Sequence, residues 1–110
     1  MNPIVLSFEI DEISFNEIKA LTANDNVEIV ESHNFSGLIL VSVIVAVLPP
    51  IIKLLKLALE HKKIRRNTSI TIGKDQISLS GFTSQEIQEL IKSQELKDLI
   101  KKIKQKKWIN

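Results

Sequence analysis

The 110-residue chain contains no cysteine, only three glycines and three prolines, and only two histidines. Without cysteine there is no disulfide framework and no cysteine-based zinc site. Gly37, Gly73 and Gly81 stand too far apart to make a phosphate-binding loop. His33 and His61 have no acidic or histidine neighbour at ligand spacing, so the sequence offers no metal centre and implies no cofactor. No serine or threonine has a histidine or lysine beside it that would mark an activated nucleophile, and no paired carboxylates or nucleophile with a base present themselves. On these absences an enzyme is not expected.

Charge is missing locally as well. Residues 35–52, FSGLILVSVIVAVLPPII, carry none, and Lys53, Lys56, Lys62, Lys63, Arg65 and Arg66 follow. An apolar stretch of about 18 residues with a basic flank fits a membrane span read by the positive-inside rule. Its twelve Leu, Ile, Val and Phe residues would contribute roughly −4 to −7 kcal/mol to insertion, before the cost of Gly37, two serines and the proline pair. The basic C-terminal side would then face the cytoplasm across an inner membrane; the alternative is a cytoplasmic protein with the same helix buried between subunits. The start, MNPIVLSFEI, lacks the basic region of a secretory signal.

The total charge of +2 hides a separation. Residues 1–34 hold seven acidic residues against Lys19, a net of −6, which leaves +8 for the rest. The two ends should therefore meet different environments or partners.

Periodicity and capping signals give an α+β order for a single domain. Residues 1–34 read as an acidic strand-helix-strand unit. Ile4 to Phe8 forms the first strand, and Ser14 with Glu17 has the capping-box spacing for a short helix carrying Phe15, Ile18 and Leu21. Val27, Ile29 and Val30 mark a second strand, ahead of the polar Ser32, His33 and Asn34. Residues 35–63 read as one long apolar helix, because length favours helix over strand despite the many β-branched residues. Pro49 and Pro50 should kink or split it. Residues 67–81 alternate around Gly73-Lys74-Asp75 as a β-hairpin. Residues 83–110 read as a final helix capped by Thr83 and Glu86, with Ile87, Leu90, Ile91, Leu99, Ile100 and Ile103 as its stripe and a fraying basic tail.

The apolar helix is the expected functional element. A chain this short has too little remaining mass to wrap a helix that is apolar on every side, so that helix should face lipid or another subunit. Its contact residues would be Gly37, Leu40, Ile44, Ala46, Val47, Pro49, Pro50, Ile51 and Leu55, with Gly37 and Ala46 allowing close helix approach. Lys53, Lys56, Lys62, Lys63, Arg65 and Arg66 are the candidates for lipid or partner contact, and Trp108 joins them as an interfacial aromatic among lysines. No aromatic platform accompanies these cations, so nucleic acid is a poor fit.

The acidic strand-helix-strand start, the apolar segment with its basic end (FSGLILVSVIVAVLPPIIKLLKLALEHKKIRR), the hairpin NTSITIGKDQISLSGF and the capped TSQEIQELI together resemble the effector-associated constant component proteins of bacterial conflict systems, over about residues 3–93. The resemblance implies a non-enzymatic accessory encoded beside variable effectors or nucleotide-driven switch proteins. The expected function is thus a scaffold of a bacterial defence or conflict system, a homo-oligomer formed through the apolar helix at a membrane, with a larger effector or switch protein as partner. The alternatives are a pore-forming, membrane-disrupting effector and a soluble oligomeric adaptor.

Overall fold

The computed structural model describes residues 3–33 and 36–109, with side chains through Lys106. Phe35, which opens the apolar run, and the side chain of Trp108 lie outside the described residues. The elements are β1 (Ile4–Ile10), α1 (Glu12–Leu21), β2 (Glu28–His33), β3 (Ile39–Val45), α2 (Leu48–Glu60), α3 (Lys62–Arg66), β4 (Thr68–Ile72), β5 (Asp75–Ser78), a 3-10 turn (Leu79–Gly81), α4 (Ser84–Ile91) and α5 (Leu96–Ile109). The strands form one antiparallel sheet in the order β2-β3-β1-β4-β5.

The long apolar helix expected over 35–63 does not exist, and the fold class built around it is corrected accordingly. The run is divided between a strand and a helix. Ile39, Val41, Val43 and Val45 point into the core from β3, while Leu40, Ser42 and Ile44 take the other face. That is the period-2 pattern of a strand, masked in the sequence because two of the three outward residues are apolar too.

The chain turns at Ala46 and Val47, and Leu48 opens α2. Pro49 and Pro50 sit in its first turn, where the backbone donors they lack have no helical acceptor in any case. The prolines therefore start a helix and do not kink one. From there Ile51, Leu54, Leu55 and Ala58 recur at helical spacing and are all fully buried, with Lys53, Lys56 and Glu60 turned outward. Among the described residues no helix is long and apolar enough to cross a membrane.

For the same reason a single chain hides most of this apolar surface, contrary to the expectation from its length. One half of the run lies in the sheet, the other half packs over it, and the two halves cover each other. Ile4, Leu6, Phe8 and Ile10 of β1, Ile70 and Ile72 of β4, Phe15 and Ile18 of α1, Ile87 and Leu90 of α4, and Leu99 and Ile103 of α5 complete a single core. The helices cover one face of the sheet. The other face is open and carries Val5, Ser7, Val30, Leu40, Ser42, Ile44, Ser69 and Thr71, with Ser7 and Ser42 Oγ atoms 3.4 Å apart.

Three smaller expectations also change. The cap of α1 is Asp11, whose carboxylate accepts from the Ser14 backbone N–H at 2.8 Å, so the helix begins a few residues before the Ser14–Glu17 pair. Leu79 leaves the hairpin and starts a 3-10 turn. The single last helix is two helices, α4 and α5, and the basic segment is the second half of α5.

Candidate functional site

The structure scatters the residues assigned to the apolar helix. Gly37 has φ +80°, a left-handed turn residue ahead of β3. Leu40 and Ile44 lie on the open sheet face, Ala46 and Val47 in the exposed corner after β3, and Pro49 on the outside of α2's first turn. Pro50, Ile51 and Leu55 are buried inside the domain. These nine residues do not share one helix face.

The basic residues separate into three groups. Lys53 pairs with Asp25 at 2.9 Å, fastening α2 to the loop after α1, and Lys56 is exposed on α2. Lys62, Lys63, Arg65 and Arg66 make up most of α3, a five-residue helix anchored by the buried Ile64. In α3, Arg65 donates to Ser84 Oγ at 2.9 Å. From the other side, Lys106 of α5 reaches Glu86 at 2.9 Å.

Ser84 and Glu86 share the first turn of α4. The structure thus brings together two basic runs, α3 and the second half of α5, that lie some 40 residues apart in a sequence read as separate clusters. Lys62, Arg66, Lys101 and Lys104 remain exposed around this junction.

Local chemistry fixes the junction. Thr83 Oγ1 accepts from the Glu86 backbone N–H at 3.1 Å, and the Thr83 backbone N–H donates to the Glu86 carboxylate at 2.8 Å, completing a capping box. The Thr83 N–H, followed by the Lys106 ammonium, holds the Glu86 carboxyl below the ordinary glutamate range. A carboxyl with a depressed folded-state pKa stabilises the fold above its unfolded pKa, roughly 4.3, and loses that contribution as pH falls through the folded value. Thr83→Ala should lower stability by about 1 kcal/mol in urea titrations at neutral pH. The deficit relative to wild type should largely persist in acid, because alanine removes the Oγ1 acceptor and keeps the Thr83 backbone N–H from which the Glu86 carboxylate accepts.

Lys102 and Ser93 are a pair that the sequence reading missed, since nine residues separate them across the α4–α5 turn. Lys102 Nζ lies 3.3 Å from Ser93 Oγ, but it also donates to the Glu89 carbonyl at 3.1 Å and pairs with Asp98 at 3.4 Å. Lys102 is thus held by three partners at once, and Ser93 is buried between the helices. The pair is a strut between helices.

A recess of about 310 Å³ lies between α1 and α3. Ile10, Leu38 and Ile64 form its apolar floor, and Ile13, 81 % exposed, stands on its lip. One wall is acidic, with Asp11 and Glu17, and the other is basic, with His61 and Lys63. His61 Nε2 and Glu17 Oε1 approach to 4.0 Å across it. The Ser14 backbone N–H holds the Asp11 carboxyl below its ordinary range, with a small contribution from Lys63.

No family model, curated protein or solved structure matches the chain. The site must therefore be read from its own chemistry. Among the described residues no group of three or more acidic or histidine side chains could hold a metal ion. What the surface offers is charge of both signs in separate places and a small apolar recess, which are the materials of binding.

Proposed function

We propose that the protein is a non-catalytic adaptor that works by self-association, an accessory component of a bacterial conflict system whose small α+β domain is presented to a larger effector or switch protein. The accessory role rests on the resemblance over about residues 3–93, whose apolar segment, expected there as one helix, is divided between β3 and α2. Self-association rests on one structural observation: exposed apolar side chains and most of the cations are carried by different elements. Among the described residues Ile13, Leu21, Val30, Leu40 and Val47 are the large apolar ones left exposed, Ile13 and Leu21 on α1, Val30 and Leu40 on the open sheet face and Val47 at the corner after β3. Glu9, Glu12, Glu17, Glu28 and Glu31 are interspersed with them. The cations concentrate on α3 and α5. Acidic elements studded with exposed apolar side chains on one copy are complementary to basic elements on another.

Sedimentation of the full chain without detergent tests this reading. At about 50 mM salt the protein should run above the monomer mass, and at about 500 mM the association should weaken, because exposed charges are then screened within a few ångströms. A monomer at every salt and protein concentration would contradict it.

A second reading is supported by the convergence of α3 and α5 on α4's first turn: a peripheral contact with anionic headgroups. Each Lys or Arg near such a surface contributes about 1 kcal/mol. Co-sedimentation with anionic vesicles but not zwitterionic ones, lost on combining Lys62→Glu, Arg66→Glu and Lys104→Glu, is the expected result. Absence of pelleting with anionic vesicles rejects this reading.

A further inference from the structure

The cleft between α1 and α3 has the features of a surface built to receive its own copy. Its floor is apolar and its walls carry opposite charges. Asp11 and Glu17 stand on the α1 side, with Glu12 exposed beside them, and His61 and Lys63 on the α3 side, with Lys62 exposed beside them. On its lip Ile13 extends a β-branched apolar side chain that is 81 % exposed, the most exposed large hydrophobic residue among those described. None of the described residues covers that side chain, yet an apolar recess of about 310 Å³ lies beside it.

A symmetric dimer makes every contact twice, because the same patch meets itself through a two-fold axis. That rule restricts how this patch can pair. Laying α1 on α1 opposes Glu12 and Glu17 to their own copies, and laying α3 on α3 opposes lysines to lysines; both arrangements repel. Crossing the elements, so that α1 of each copy lies along α3 of the other, sets acids against bases at two equivalent places. The same crossing carries Ile13 of each copy over the recess of the other.

We propose that the α1–α3 cleft is the seat of a two-fold homodimer in which Ile13 of each copy fills the apolar recess of the other, and Glu17 of each faces Lys63 of the other. The proposal rests on the self-association reading and names its surface. Ile13 is the apolar anchor at the centre, and the charged walls are the rim that excludes wrong partners and sets the orientation.

The test is sedimentation equilibrium of the full chain with four samples beside wild type: Ile13→Asp, Glu17→Lys, Lys63→Glu, and an equimolar mixture of the last two. Because Ile13 is exposed, its replacement leaves the fold intact, which circular dichroism checks. Ile13→Asp should weaken the dimer roughly 30-fold, the loss expected of a central anchor. Each charge reversal alone should weaken it roughly 10-fold by opposing like charges at both equivalent contacts.

The mixture is the decisive sample. A Glu17→Lys chain has lysine on both walls and a Lys63→Glu chain has glutamate on both, so a heterodimer of the two restores an attractive pair at each contact and should recover association near the wild-type level. Failure of the mixture to recover, or wild-type behaviour of Ile13→Asp in a protein that still associates in a salt-sensitive way, overturns the cleft as the seat and leaves self-association through another surface. A wild-type monomer overturns both.

Discussion

Leu54→Ala is expected to cost the domain about 3–5 kcal/mol of unfolding free energy, read from the denaturant midpoint. Leu54 lies in the middle of α2, fully buried among residues of the same core as β1, β3 and α4. Truncation removes transfer energy and leaves a cavity that packed helices and sheet cannot close. Against a total of about 5–15 kcal/mol typical of such domains, that is a fifth of the stability or more. A helix exposed to lipid would respond differently, since the same change there swaps one apolar surface for a slightly smaller one. Val47, seven residues before Leu54 and 48 % exposed, supplies the control: Val47→Ala should change stability by less than about 0.5 kcal/mol.

Phe8→Ala should be comparably severe, about 3–5 kcal/mol. Phe8 is fully buried on β1, the central strand, opposite Val41 of β3 and Thr68 of β4. It is the largest of the fully buried side chains and touches the core where the two halves of the sheet meet. Val5, two positions before the same strand's midpoint and on the open face, should tolerate alanine with a loss near 1 kcal/mol or less. The contrast between Phe8 and Val5 measures the sidedness of the sheet, and equal effects would mean that both faces are covered.

How much of this could be read from the sequence depends on whether the local signal was also the global one. β1, the hairpin of β4 and β5, and the Thr83–Glu86 capping box carry their own patterns: a short apolar run ended by acids, alternation about Gly73, and a reciprocal cap. Residues 39–58 carry no such pattern. β3 pairs with strands on both sides and keeps Leu40 and Ile44 on its partly open face, so its alternation is nearly silent, with Ser42 as the one polar break. Length then favoured helix, and tertiary pairing overrode it.

The start of α2 was equally hard to recognise. Val47 is its N-cap and makes no side-chain cap hydrogen bond, so the only start signal is the proline pair, which also reads as a break. The split between α4 and α5 was hidden by apolar residues that continue at helical spacing on both sides of it.

The candidate site was less legible than the fold. The cations of α3 were visible as a cluster, but their neighbours were not. That Lys106 and Arg65 meet on one turn of α4, and that Lys63 faces Asp11 and Glu17 across an apolar floor, depends on packing between segments 20 to 50 residues apart. Ile13 was unremarked because a lone apolar residue in an amphipathic helix carries no signal of exposure. The separation of charge between the two ends of the chain was legible, and it is the property on which the proposed association depends.

The account stands on residues 39–60 folding as a strand, a corner and an amphipathic helix within one chain. Backbone carbon chemical shifts measured by NMR in detergent-free buffer test this most directly. They should show strand values from Ile39 to Val45, a break at Ala46 and Val47, and helical values from Leu48 to Glu60. Continuous helical values through Ile39–Val45 would contradict it.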